Sequence, residues 1–298
     1  MNILVLGGSS FKGANFISYL LEKYKDYRVV CIDSNQNFAD EDTKRIQTEK
    51  MFNFYQIDLT NREELIKVFN FWFGFDFVVN FTDHVNDRSV IEKTCEILDI
   101  LKKYRTKKYL HVSTSLVYGS GINLEESAVL DPRTIEVANQ ASSDLIALSY
   151  YYVHDVQVVV ARGSNCAGRF QSNDDLFQKF VSNILNNKRV ITKNNLRQWV
   201  YVYDYCRALD TILHYGRAGG LYNIGGEEVR DDAILDMIMK HLGKTQDMLE
   251  GVGVRLSDEA ECIVNDNKIR ELGWGERFHF MNVLEDVLED VIDWCKNV

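Results

Sequence analysis

The chain has 298 residues, too many for one minimal domain and too few for three at roughly 100–200 residues per domain. Its composition, 46% hydrophobic and 26% charged, excludes a disordered protein, a collagen and a coiled coil. With 34 basic and 44 acidic side chains the formal charge is −10, which repels phosphate backbones and argues against nucleic acid as a general partner.

Asn2–Leu6 is a short apolar run bounded by glycine and predicts a buried strand. Phe16, Ile17, Leu20 and Leu21 follow at helical spacing, and Arg28–Ile32 predicts a second strand ending at Asp33. Strand, Gly-rich turn, helix, strand is a βαβ unit, whose parallel strands need the crossover helix. The alternation continues: Phe52–Ile57 extended, Glu63–Phe69 helical, Phe75–Phe81 extended, Val90–Leu101 helical, Lys108–Val112 extended, Ala138–Tyr152 helical, Val156–Ala161 extended. This pattern predicts an α/β fold built on a Rossmann-type doubly wound parallel sheet.

After about residue 165 the alternation weakens. Asp174–Leu185 and Tyr203–Leu213 read as helices with Trp199–Val202 extended between them. Leu221–Ile224 reads as a short strand, and Asp231–Leu242 and Asn282–Trp294 as amphipathic helices. The expected organisation is a dinucleotide-binding part over 1–165, with some later chain returning to it, and a smaller mixed α/β cap over 166–298. No apolar run approaches the ~20 residues of a membrane span, and no signal peptide is visible. The six cysteines are scattered, with no C-x-x-C. They read as reduced thiols of a cytoplasmic protein with no metal site.

The first turn reads Gly7-Gly8-Ser9-Ser10-Phe11-Lys12-Gly13. Glycines there let a tight turn close and bring backbone N–H groups to a pyrophosphate at the positive end of the following helix. The frame is Gly7, Ser10, Gly13, with serine at the middle position. Asp33, about twenty residues on, is placed to accept from a ribose hydroxyl and repel a 2′-phosphate, which favours NAD over NADP. Asp58 ends the next strand, where an adenine could lie. Residues 7, 10–13, 33 and 58 are therefore the candidate cofactor ligands.

From these motifs onward the chain resembles the extended short-chain dehydrogenase/reductases, in particular the NAD-dependent nucleotide-sugar epimerases and 4,6-dehydratases. The resemblance runs through the opening turn and Asp33, Asp58-Leu59, His84–Ser89, Ser113–Gly119, Ala141–Asp144, Ser164-Asn165, Arg197–Val202, Tyr222–Gly226 and Lys268–Trp274. It implies bound NAD and transient oxidation of a sugar hydroxyl. In that chemistry a tyrosine is the base, a lysine four residues later lowers its pKa, and a serine or threonine holds the hydroxyl. Dehydratases add an Asp-Glu pair for proton transfer.

Here the tyrosine position holds Glu136 and the lysine position Gln140, while Thr114 keeps the hydroxyl. The Asp-Glu pair reads Ser115-Leu116, and Lys12 stands where the family has an apolar residue. On the substrate side, Asn165 and Arg197 match, Arg197 as a diphosphate ligand. A second arginine expected after Arg255–Glu259 is replaced by Ala260-Glu261. Each position also admits a plain structural role: Glu136 as a solvated helix residue, Thr114 as a strand-end cap, Arg197 in an ion pair. Tyr118 and Tyr150–Tyr152 read as packing residues. The resemblance implies a nucleotide-sugar ligand and a homodimer, or a heterodimer with an active family member, formed through the helix ending near Lys103 and the one over Ala138–Tyr152. Loss of base, base activator and both proton-transfer acids favours a binding or regulatory subunit. An active 4,6-dehydratase or 4-epimerase with Glu136 as replacement base is the competing expectation.

Overall fold

In the computed structural model, which describes residues 1–34, 46, 48–81, 89–171, 175–191, 193–248, 250–255 and 261–297, the Asn2–Leu6 run is the central strand β1. Its period-two pattern feeds two cores. Ile3 and Val5 enter one, Leu4 and Leu6 the other, and all four are fully buried. Each such side chain contributes roughly 1.5–3 kcal/mol through burial. Helix α1 (Phe11–Lys23) leads to β2 (Arg28–Asp33) and β3 (Phe52–Gln56), then α2 (Arg62–Trp72) to β4 (Phe77–Asn80). Helix α3 (Val90–Leu101) precedes β5 (Lys108–Thr114), a short strand β6 (Gly121–Leu124), the long helix α4 (Ile135–His154) and β7 (Val158–Gly163).

Beyond β7 come β8 (Asn165–Ala167), α5 (Leu176–Leu185), β9 (Lys188–Ile191), β10 (Leu196–Tyr201) and α6 (Val202–Tyr215). They are followed by β11 (Leu221–Ile224), β12 (Glu227–Arg230), α7 (Asp231–His241), β13 (Glu250–Arg255), β14 (Cys262–Val264), α8 (Asn267–Arg270) and α9 (Phe280–Asn297). The main sheet has seven parallel strands in the order β11-β7-β5-β4-β1-β2-β3. The doubly wound reading holds. Its order reverses at β1, and in such sheets the ligand crevice lies outside the carboxyl ends at that switch.

One core lies between the sheet and α1 with α6, through Phe16, Ile17, Leu20, Leu209 and Ile212. The other lies under α2, α3 and α4, through Leu65, Phe69, Ile97, Leu98 and Ala147. A third core joins α5, α7 and α9 through Phe177, Phe180, Ile234, Ile238, Leu284 and Leu288, over a three-stranded sheet in the order β12-β10-β8. Helix α6 covers the main sheet and β11 extends it.

Most element boundaries shift from expectation by one to three residues, those of α4 and α6 among them. Helix α4 begins at Ile135 rather than near Ala138, because Thr134 caps it, its hydroxyl accepting from Val137 N at 3.3 Å. Val202 is the first residue of α6 and not the end of the extended segment. Of the His84–Ser89 loop, residues 84–88 lie outside the described residues. Among the described residues no helix is long and apolar enough to cross a membrane.

Candidate functional site

The turn between β1 and α1 is built as a cradle. Gly7 has φ +68°, a left-handed conformation that glycine adopts at no steric cost. A Cβ on Gly13 would meet the Gly7 carbonyl oxygen at 2.6 Å and Gly8 Cα at 2.8 Å, so only glycine lets the helix close on the turn. Ser10, at the middle position, has φ −71° and needs no glycine freedom. It is the helix N-cap: its hydroxyl accepts from Gly13 N at 3.2 Å and donates to the Gly7 carbonyl at 2.7 Å. The first turn of α1 holds no acidic residue. Its amide dipoles therefore suit an anion. Asp33 is buried at the end of β2, where its Oδ2 accepts from Ser9 N at 3.0 Å and Ser9 Oγ at 2.5 Å. The cradle and this carboxylate at its lip fit a dinucleotide. Asp58 is exposed, and its Oδ1 accepts from the amide and hydroxyl of Thr60, both at 2.9 Å, turning the chain into α2.

Beside the cradle lies a cavity of about 110 Å³. Phe11 and Lys12 of the turn line it, with Thr114, Ser115 and Leu116 after β5, Ser164, Asn165 and Cys166 at β8, Asp175, Leu176 and Phe177 at the start of α5, and Trp199 of β10. Thr114 lines the cavity, and its Oγ1 accepts from Leu116 N at 3.3 Å, capping a short 3-10 turn over Ser115–Tyr118. Asn165 lines the cavity while its Nδ2 donates to the Gln198 carbonyl at 3.2 Å.

Neither Glu136 nor Gln140 contributes to that lining. Glu136 sits in the first turn of α4, where its own backbone N–H and the Thr134 hydroxyl hold its carboxyl below the usual range. A carboxylate so stabilised is a weaker base than a free one. The Gln140 Oε1 is buried without a hydrogen-bond donor. Cys166 lines the cavity, but burial first, with Asp175 adding to it, raises its thiol far above the ordinary value, which disfavours the thiolate.

On the substrate side, Arg197 is 4% exposed and its Nε donates to Asp231 Oδ1 at 2.8 Å. Asp231 is itself fully buried and also accepts from Asn195 N at 3.2 Å. The ion-pair role open to Arg197 is thus present. Glu261 accepts from Leu196 N at 2.9 Å, which places its carboxylate one residue along β10 from that arginine.

Beneath Thr114 runs a buried polar layer. Arg162 on β7 donates through Nε to Asp144 of α4 at 2.8 Å, and His111 on β5 lies 3.5 Å from the same carboxylate. The guanidinium packs 4.9 Å from the centre of the Tyr118 ring, and the Tyr118 hydroxyl donates to Asn223 Oδ1 at 2.9 Å. Burial lowers the His111 pKa, which keeps the ring neutral. This layer ties α4 to β5 and β7 and accounts for the Ala141–Asp144 motif as framework. Tyr150 donates to Asp99 at 3.0 Å, and Tyr152 is exposed. Of the cavity-lining residues, sequence reasoning did not single out Cys166, Asp175, Leu176 and Phe177, and it marked Trp199 only within the Arg197–Val202 motif. Asp175 carried only the ordinary signal of a helix N-cap, so nothing local marked it for the cavity.

The model of the NAD dependent epimerase/dehydratase family matches residues 3–225. The Haloferax volcanii low-salt glycan biosynthesis protein Agl12 is 30% identical over 313 residues, covering 99% of this chain and 98% of that protein. A dTDP-glucose 4,6-dehydratase of Streptomyces niveus is 29% identical over 321 residues, covering 100% and 93%. Among solved structures, dTDP-glucose 4,6-dehydratase from Bacillus anthracis in complex with NAD superposes with a TM-score of 0.89 at 31% identity, covering 98% of this chain and 97% of that one. The Streptomyces venezuelae enzyme DesIV, a dTDP-glucose 4,6-dehydratase, superposes with a TM-score of 0.87 at 27% identity over 98% and 97%, with NAD bound.

Proposed function

The chain belongs to the NAD-dependent epimerase/dehydratase family, and from that premise we propose that it binds NAD and a nucleotide sugar without turning the sugar over, as a binding or regulatory subunit. The observation that carries the reading is the lining of the cavity beside Thr114, to which neither Glu136 nor Gln140 contributes. Bound NAD supplies hydride acceptance from a sugar carbon. The backbone of Gly7, Ser10, Phe11, Lys12 and Gly13 would hold its pyrophosphate, Asp33 its ribose, and Asp58 would face its adenine end. Thr114 and Asn165 orient the sugar, and Arg197, fixed by Asp231, meets the diphosphate through its remaining N–H groups. Residues 1–165 with α6 and β11 serve the cofactor, and the rest of the later chain serves the sugar.

Removal of the hydroxyl proton as the hydride leaves needs a base, and general-base catalysis is worth typically about 10²–10⁴-fold. Glu136 is held ionised outside the cavity, Gln140 brings no charge, and Ser115 and Leu116 cannot exchange protons as carboxylates do. The family relationship to dehydratases supports a second reading, an active enzyme with a replacement base. Asp175, a carboxylate in the same cavity as Thr114, is placed for that role where Glu136 is not.

Purified protein incubated with NAD and a panel of dTDP- and UDP-hexoses, with products followed by mass spectrometry and binding by calorimetry, separates the two. Binding without a 4-keto-6-deoxy or epimerised product is expected. Product that disappears in Asp175→Asn or Glu136→Gln would establish the enzyme reading and name its base. The dimer of the family, formed by α3 and α4, is part of this proposal, with a second copy or an active family member as partner. A cytoplasmic setting suits its scattered cysteines, which form no C-x-x-C.

A further inference from the structure

The dinucleotide reading leaves one charged side chain of the cradle unexplained. Two charged groups among the described residues line the cavity beside Thr114: Lys12 and Asp175. Lys12 is the second residue of α1, so its backbone belongs to the pyrophosphate cradle while its side chain reaches the cavity. Its ammonium lies 4.9 Å from the centre of the fully buried Tyr205 ring. A lysine in the first turn of a helix opposes the helix dipole, so local helix energetics give no reason for it. The Tyr205 face attracts the cation and holds it in place.

A dinucleotide with its pyrophosphate on α1 would extend its ring end toward Thr114, which lines the neighbouring cavity. The space there, about 110 Å³, is on the scale of a single ring, since a cavity of roughly 150 Å³ accepts benzene. The nicotinamide ring carries a positive charge when oxidised and none when reduced. An ammonium held in that space raises the free energy of the oxidised ring and leaves the reduced one unaffected, and the Asp175 carboxylate acts in the opposite sense. Building on the cofactor assignment above, we infer that Lys12 biases the cleft toward the reduced, uncharged form of the nicotinamide cofactor.

The test is a calorimetric titration of the full chain with NAD, NADH and ADP-ribose, for the wild type, Lys12→Met, Lys12→Arg and Asp175→Asn. The wild type should bind NADH more tightly than NAD. Lys12→Met should cut that preference by about tenfold, the scale of one charge in a partly screened cleft. Lys12→Arg should keep the preference, Asp175→Asn should enlarge it, and ADP-ribose should bind alike in all four. An equal loss of all three ligands in Lys12→Met would mean that the lysine grips the pyrophosphate, and would overturn the inference. An unchanged ratio in Lys12→Met, or a smaller one in Asp175→Asn, would overturn it too. Failure of the wild type to bind ADP-ribose would overturn the cofactor assignment, and this inference with it.

Discussion

Asp210 on α6 shows how one residue couples the cofactor helix to the rest of the sheet. Its buried carboxylate lies 2.6 Å from Lys23 Nζ and 3.0 Å from His214 Nδ1, and it accepts from the hydroxyls of Tyr19 at 3.1 Å and Tyr24 at 3.0 Å. Burial works to raise its pKa, but hydrogen bonds from His214 and Lys23 outweigh burial and leave it lowered. The hydrogen bond to Asp210 raises the pKa of His214 against the opposing effect of burial. A raised histidine pKa adds stability that is complete below the ordinary value of about 6.5 and is lost as pH rises through the folded value. A lowered carboxylate pKa adds stability that is complete above about 3.9 and is lost as pH falls through the folded value. The cluster is therefore worth most between about pH 4 and 6.5. Urea midpoints of wild type and His214→Gln should differ most in that window and converge above it; a constant gap up to pH 9 would show that the histidine acts through packing alone. Asp210→Asn should cost about 3 kcal/mol, because it strips a buried cluster of its one anion.

The elements carry their own signals and their own strain. Helix α2 ends in Phe73, a 95% exposed aromatic residue at φ +56°, followed by Gly74 at φ +85°. The Gly74 N–H closes the helix on the Phe69 carbonyl at 2.9 Å, so the left-handed residue is part of a hydrogen-bonded C-cap. A bulky residue in that region pays a steric cost that glycine avoids. Phe73→Gly should raise the unfolding free energy by about 0.5 kcal/mol, the relieved strain exceeding the added chain entropy. A lower urea midpoint would instead mean that the exposed ring is held by a contact stronger than that strain. Element positions were legible wherever periodicity was strong: Val90–Leu101 is the helix its spacing predicts. The start of α4 was less legible, because Ile135–Val137 lack the apolar periodicity and the capping threonine was the only signal. Strands β6, β8, β9 and β12–β14 were not anticipated at all. They are three to six residues long and owe their existence to partners far away in sequence, as Cys262 on β14 does to Gly121 on β6.

At the scale of the whole molecule, α4 offers the surface the family reading needs. Leu145, Tyr152 and Val153 are exposed on it, beside α3, while Ala141, Ala147 and Leu148 face inward. Exposed apolar groups on a helix that already has a buried face are what the proposed dimer would cover. Sedimentation should find a dimer at micromolar concentration, and Leu145→Asp with Tyr152→Asp should shift it to monomer with the circular dichroism spectrum retained. A wild type that stays monomeric, alone and with an active family member, would remove this part of the proposal.

What the sequence by itself determined is local. The glycine turn follows from sterics within seven residues, and the strands and long helices from a periodicity of two or 3.6. The doubly wound order followed from the alternation of those elements, because parallel strands need crossovers of that length. Only the tertiary structure decided what the site contains. Lys12 and Asp175 line one cavity, Arg197 is committed to Asp231, and Glu136 and Gln140 stand apart from that lining. A cavity is assembled by elements distant in the chain, from whichever side chains their packing leaves pointing inward, and no spacing along the sequence encodes that.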